Sequence, residues 1–185
     1  MINLETKRLS IRNFKCDDWQ ALYEMIVQYQ STEYAAYDQQ WPITQEEIKE
    51  IAKWFAGGDH FLAVCLKDKG QFIGFVALNP EERDGCHEFN LGYIFNSDCH
   101  GKGYATEACK AALNHAFGPL QAEKVVSGTA AVNQASRRLL ERLGFRRIGE
   151  KMSSFKTAED GKPIEFLGYH YAVSKKEWAG NSRVG

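Results

Sequence analysis

One stretch, NLGYIFNSDCHGKGYAT from Asn90 to Thr106, limits the folds open to this chain. Its first half alternates apolar β-formers, and its second half sets Gly101 and Gly103 just ahead of a run with helical periodicity. A strand, a tight glycine loop and a helix start are therefore expected in immediate succession. The first N–H groups of a helix have no intrahelical partner, and the helix dipole adds partial positive charge at the same end. Such a loop is a cradle for a phosphate.

The rest of the chain supplies the setting. Residues 4–14 alternate loosely about Leu9 and Ile11 and predict a first strand. Asp17 or Asp18 then caps a helix whose Trp19, Leu22, Tyr23 and Ile26 share one face. The aromatic, aperiodic TEYAAYDQQWP reads as a loop or a broken helix, and loops carry specificity more often than strands do. Thr44 and Glu47 form a capping box for a second helix closed by Gly57 and Gly58, with Ile48, Ile51 and either Trp54 or Phe55 inward.

From His60 the period falls to two. HFLAVCLK and QFIGFVAL flank a KDKG turn, and HEFNLGYIF follows a polar break at PEERDG. Strands joined this closely run antiparallel. Beyond the glycine loop, Ala105, Ala108, Cys109, Ala112, Leu113, Ala116 and Phe117 make a stripe of mostly small residues that ends at Gly118 and Pro119. KVVSGTA is the next strand; with a helix between, it lies parallel to the strand before the loop. Asn133 opens another helix with Ala135, Leu139, Leu140 and Leu143 inward, ended by Gly144. GFRRIGEKMSSF and EFLGYHYAV form a last hairpin, and residues 179–185 are expected to fray.

Composition narrows the partners. With 185 residues and no linker-like segment, a single domain over residues 1–178 is expected. A formal net charge of −1 with interspersed signs leaves no footprint for nucleic acid or an anionic membrane. The five cysteines are scattered without a C-x-x-C pair, which argues against a disulfide framework or a zinc site and suits a reducing compartment. MINLETKRLSIR carries charges where a signal peptide has its apolar core, and no run approaches membrane-spanning length, so a cytoplasmic location is expected.

This order of elements resembles the GNAT family of acyl-CoA-dependent N-acetyltransferases over most of the chain. HGKGYA is similar to the family's pyrophosphate loop Q/R-x-x-G-x-G/A, with His100, Gly103 and Ala105 at the three defined positions. NQASRRLLERLGF resembles the following family helix, which opens on an Asn with a small residue three further on and ends in Gly-Phe. TKRLSIR and the pair Glu177 and Trp178 are similar to the branch that contains the ribosomal-protein N-terminal acetyltransferases. The resemblance implies an α+β (mixed α/β) fold: a central, mostly antiparallel mixed sheet of about seven strands flanked by helices, with one parallel β-α-β unit at the cofactor site. It implies acetyl-CoA as co-substrate, an amine acceptor, no metal, and a monomer or homodimer.

Residue roles follow from the same likeness. Pantetheine would pair with backbone at Ile94 and Phe95, and pyrophosphate would sit on N–H groups of Gly101, Lys102, Gly103, Tyr104, Ala105 and Thr106, with Lys102 adding solvent-side charge. His100 replaces the commoner Gln or Arg. Asn133 is an N-cap, a cofactor contact, or both, and Ser136 is a contact or a small spacer. Arg137 and Arg138 read as solvated charges. For the proton that the amine must lose, Glu88 is the nearest carboxylate on the strand entering the loop, on the same parity as Asn90, where many relatives carry Glu. Relatives with a tyrosine acid carry it seven residues past the Asn, and here that position is Leu140. Tyr34, Tyr37 and Trp41 are expected to line the acceptor groove.

Two phosphate-binding rivals fail on residues. Thr106 occupies the third glycine position of a dinucleotide fingerprint, and Gly103 is followed by Tyr104 and Ala105 where a Walker loop needs Lys and Ser or Thr. A non-catalytic acyl-CoA-binding or regulatory module remains beside the enzyme.

Overall fold

The computed structural model describes residues 1–83 and 86–181, built on one eight-stranded sheet in the order β1-β2-β3-β4-β5-β6-β8-β7. The strands are β1 (Asn3–Glu5), β2 (Leu9–Asn13), β3 (Phe61–Leu66), β4 (Phe72–Arg83), β5 (Cys86–Phe95), β6 (Lys124–Ala130), β7 (Arg146–Thr157) and β8 (Pro163–Ser174). Only β5 and β6 pair in parallel; every other neighbouring pair is antiparallel. The mixed α+β sheet with a single parallel β-α-β unit is as the family likeness implied.

The strand count is a correction. The segment 4–14, read as one strand, holds two, because the chain turns where the Thr6 hydroxyl accepts the Leu9 N–H at 2.9 Å. The expected break at PEERDG is also shorter than read, since β4 continues through Pro80 to Arg83. β3 ends opposite Ala77, so beyond it one edge of β4 has no neighbour and a residue without an N–H is tolerated.

Helices cover both faces. α1 (Trp19–Gln30) and α2 (Gln45–Ala56) pack Leu22, Met25, Ile26, Ile48 and Phe55 against Phe75 and Ile94 on one face. α3 (Tyr104–Phe117) and α4 (Gln134–Arg142) cover the other. Ala108, Cys109, Ala112 and Ala116 of α3 are fully buried, so a small-residue stripe lets this helix lie close on the sheet. At the end of α2 the choice falls on Phe55, 2% exposed, while Trp54 is 66% exposed. Asp18 does not cap α1 with its side chain; its carboxylate instead takes the Arg12 guanidinium through two hydrogen bonds of 2.7 and 2.8 Å.

A fifth helix, α5 (Lys175–Asn181), was not anticipated. Its signal is local: Ser174 and Glu177 make a capping box in which the Ser174 hydroxyl accepts the Glu177 N–H and the Glu177 carboxylate accepts the Ser174 N–H. Residues 179–181, expected to fray, belong to this helix, and residues 182–185 lie outside the described residues. Trp178 is buried against Phe117 and donates its indole N–H to Asn114. Among the described residues no helix is long and apolar enough to cross a membrane.

Candidate active site

The parallel pair opens the site. β5 and β6 are in register only at Glu88↔Lys124, Phe89↔Val125 and Asn90↔Val126. Beyond them β5 stays with β4 as far as Phe95↔Gly74, while β6 stays with β8 as far as Ala130↔Gly168. The two halves of the sheet therefore part after Asn90, and the Ser127 hydroxyl, donating to the Leu91 carbonyl at 2.8 Å, is a tie just past the last pair. The edge of β5 at Tyr93, Ile94 and Phe95 faces this gap. Gly74 supports it from the β4 side, where a Cβ would lie 2.5 Å from the Ile94 carbonyl oxygen.

The glycine loop closes one end of the gap. Gly101 and Gly103 have φ of 73° and 79°, the left-handed region that favours glycine, and Gly103 is the N-cap of α3. Tyr104, Ala105 and Thr106 form the first turn, whose N–H groups lack intrahelical acceptors. His100 turns its ring back to the Phe95 carbonyl at 3.2 Å, and Lys102 donates to the Asp98 carbonyl at 2.9 Å.

Two arginines that pattern reading passed over hold this loop. Arg8 donates to the Lys102 carbonyl at 2.9 Å, pairs with the Glu107 carboxylate at 2.7 Å, and lies over the Tyr104 ring at 4.4 Å. Arg142 donates to the Thr106 hydroxyl at 3.1 Å. Arg138, read as solvated, lines the same cavity as Arg142, while Arg137 packs on the Tyr169 ring and donates to the Ala131 carbonyl.

Glu107 gives this support a pH dependence. Burial by itself would raise its pKa, but hydrogen bonds from Thr6 and Arg8 outweigh burial and hold it below the ordinary 4.5. A carboxylate whose pKa is lower folded than unfolded contributes stability that is present above the unfolded value and is lost as pH falls through the folded one. The Tm difference between the natural chain and Glu107→Gln is therefore expected to be constant from neutral pH down to about 4.5 and to shrink below it. A difference that grows on acidification would contradict this account.

Two cavities meet in the gap. The smaller, about 430 Å³, runs along Phe95, His100, Gly101, Gly103 and the first turn of α3. The larger, about 660 Å³, opens over the β4–β5–β6–β8 face beneath the loop that holds Tyr34, Tyr37 and Trp41. Tyr29, Tyr34, Tyr93, Ile94, Asn133 and Ser136 line both. Asn133 accepts the Ser136 N–H at 3.0 Å, so it is the N-cap of α4 and faces the junction as well. Ser136 in turn shares a hydrogen bond of 2.8 Å with the Tyr93 hydroxyl. Leu140 is fully buried and contributes no hydroxyl.

The two expected proton-handling residues separate. Asn90 lines the larger cavity and donates its amide N–H to Glu81 at 2.9 Å. Glu88 does not line it: it is 3% exposed, and its carboxylate is ion-paired with Lys124. The reason is position along β5 relative to the gap. Glu88 lies two residues before Asn90, the last joined pair, and Lys124 takes up its carboxylate, so the expectation of a catalytic base at Glu88 finds no support in this geometry.

The comparisons agree with this geometry. The acetyltransferase (GNAT) domain family matches over residues 8–146. A Bacillus subtilis protein named uncharacterized N-acetyltransferase YnaD is 29% identical over 178 residues, spanning 96% of this chain and 99% of its own length. The putative ribosomal N-acetyltransferase YdaF of the same organism is 26% identical over 184 residues, spanning 94% of this chain and 95% of its own. Among solved structures, a GNAT-family acetyltransferase from Bacillus anthracis superposes with a TM-score of 0.78 at 25% identity, covering 95% of this chain and 100% of its own. With the split sheet, the glycine loop at a helix start and a family match over most of its length, this chain belongs to the GNAT acetyltransferase family.

Proposed function

We propose that this protein is an N-acetyltransferase that moves an acetyl group from acetyl-CoA to a primary amine by direct attack in a ternary complex, the amine being a protein N-terminus or a small molecule. The observation that carries the proposal is the junction of the two cavities, where donor and acceptor meet with no nucleophilic side chain needed between them. The residues present suit the donor. First-turn N–H groups, two left-handed glycines and the guanidinium groups of Arg138 and Arg142 suit a pyrophosphate, and the free edge of β5 at Ile94 and Phe95 suits an amide-bearing arm. Acetyl-CoA supplies a thioester carbonyl. In this reading residues 1–178 are the acetyltransferase domain, working in the cytoplasm, where its five free thiols stay reduced.

Asn90 positions the amine. The Asn90 amide nitrogen donates to Glu81, which leaves its Oδ1 as the acceptor for a ligand in the cavity. Oδ1 then accepts an N–H of the incoming amine and turns the nitrogen lone pair toward the junction. An amide is no base, so the proton leaves to solvent in the open cavity. Ser136, hydrogen-bonded to the Tyr93 hydroxyl, presents its own hydroxyl to the departing sulfur.

Incubation with acetyl-CoA and a panel of amines, followed by thiol release, tests the reaction. At least one acceptor is expected to turn over; tight CoA binding with no thiol release from any of them would favour the non-catalytic acyl-CoA module. Trp41→Ala is expected to raise the acceptor KM about tenfold while the acetyl-CoA KM stays within about twofold. Equal losses in both would remove the aromatic loop from acceptor binding.

A further inference from the structure

We infer that the larger cavity takes an acceptor that carries a second positive nitrogen besides the one it acetylates, and that Asp38 receives that second charge. The inference rests on the acetyl-transfer reading and deepens it. Asp38 is the one carboxylate among the described residues lining this cavity, and no Lys or Arg lines it. Tyr29, Tyr34, Tyr37 and Trp41 line the same cavity, and two of them, Tyr29 and Trp41, hydrogen-bond to Asp38. A carboxylate among aromatic faces is a site for an organic cation, which gains Coulomb attraction from one and quadrupole attraction from the others.

The bonding of Asp38 leaves room for such a ligand. Its Oδ2 accepts the Tyr29 hydroxyl at 2.9 Å and the Trp41 indole N–H at 3.4 Å, and its Oδ1 accepts the Gln39 N–H at 2.7 Å. These donors are neutral, so they orient the carboxylate without cancelling its charge. A carboxylate offers about four lone-pair sites, and these bonds use three. The negative charge is also felt at its neighbour: burial, and then the charge of Asp38, push the Tyr29 phenol far above its ordinary value.

The charge bound at Asp38 is not that of the reacting nitrogen. Asp38 lines the larger cavity and not the smaller, and its hydrogen bond from Tyr29, which lines both, sets it beside the junction residues without being one of them. A carboxylate holding the attacked amine would also favour its protonated, unreactive form. The arrangement therefore serves two nitrogens: a neutral one at Asn90 and the junction, and a charged one at Asp38. Two sources share this chemistry, a small diamine and a peptide whose N-terminus is followed by a basic side chain.

The test compares kcat/KM for diamines of graded length with monoamines of matched length, and for Ala-Lys with Ala-norleucine peptides. A preference of about tenfold for the doubly charged member of one pair is expected, and Asp38→Asn should collapse that ratio toward one. Whichever pair shows the preference identifies the source. In parallel, calorimetry with a bis-quaternary ammonium compound, which cannot be acetylated, should detect binding to the natural chain that Asp38→Asn loses. If Asp38→Asn lowers Tm, competition of the same compound against turnover by the natural chain decides. Equal turnover of the members with and without the second positive nitrogen, with no binding of the bis-quaternary compound, overturns the inference and leaves acetyl transfer standing. No thiol release with any amine overturns acetyl transfer, and the calorimetry then still reports on the cation site.

Discussion

Gly103→Val should raise the KM for acetyl-CoA about ten- to a hundredfold, from about 1–3 kcal/mol of backbone strain in a left-handed conformation that a β-branched residue resists. Gly103 has φ 79° and ψ 3° and is the N-cap of α3, so it aims the N–H groups of Tyr104, Ala105 and Thr106. Steric crowding is the smaller cause. A Cβ there would lie 3.4 Å from the Arg8 guanidinium, the end of a flexible side chain. Relief of strain requires φ to change sign, and that swings the first turn away from the direction a pyrophosphate needs. Steady-state kinetics with each substrate varied in turn, and calorimetry with CoA, check the result. The acceptor KM at saturating acetyl-CoA should move little. An equal rise in both would mean that the loop holds the fold and not the donor. Gly149→Ala serves as a control, since nothing lies within 4 Å of its Cβ.

The loop was legible because its signal is local. Two glycines ahead of a helical stripe report left-handed backbone and an open helix start without help from distant residues. The helix between two strands made that pair parallel, and the family resemblance implied that the loop is the cofactor end of the sheet. What could not be read depends on partners far along the chain. Arg8 meets Glu107 across 99 residues, and nothing in TKRLSIR says that it braces the glycine loop. The extension of β4 through Pro80 depends on where β3 stops, and the small strand β1 is too short to show a period. Glu88 is the instructive case. Its strand parity with Asn90 was read from alternation, but parity says which face a residue is on and not whether that face is open at its level. The divergence of β5 from β6 sets that level, and it falls just past Asn90. The capping box at Ser174 and Glu177 was local and readable, and its three-residue spacing is the signal for α5.

Ser136→Ala is expected to lower kcat about a hundredfold, the usual cost of removing one donor from a site of developing charge, with a smaller change in the acetyl-CoA KM. With Leu140 where relatives place a tyrosine, α4 offers no phenol at the junction, and the hydroxyl arrives from β5 instead. Tyr93 reaches Ser136 at 2.8 Å, and both line the two cavities. Burial pushes the Tyr93 phenol above its ordinary range, so it keeps a proton that it can donate to Ser136. When Tyr93 donates to the Ser136 oxygen, the serine proton is left free, and in the proposed reaction it serves the sulfur that gains charge as the amine attacks. Tyr93→Phe should therefore cost less, about tenfold in kcat, because it acts through Ser136. The double variant should be no slower than Ser136→Ala, since both act on one proton. An acyl donor with a more acidic thiol should narrow the gap between natural chain and variant, because its sulfur needs less help to leave. Additive losses would split the pair into unrelated residues. An unchanged kcat with a raised acetyl-CoA KM would make Ser136 a cofactor contact alone, and thiolate departure would then need no hydroxyl at all.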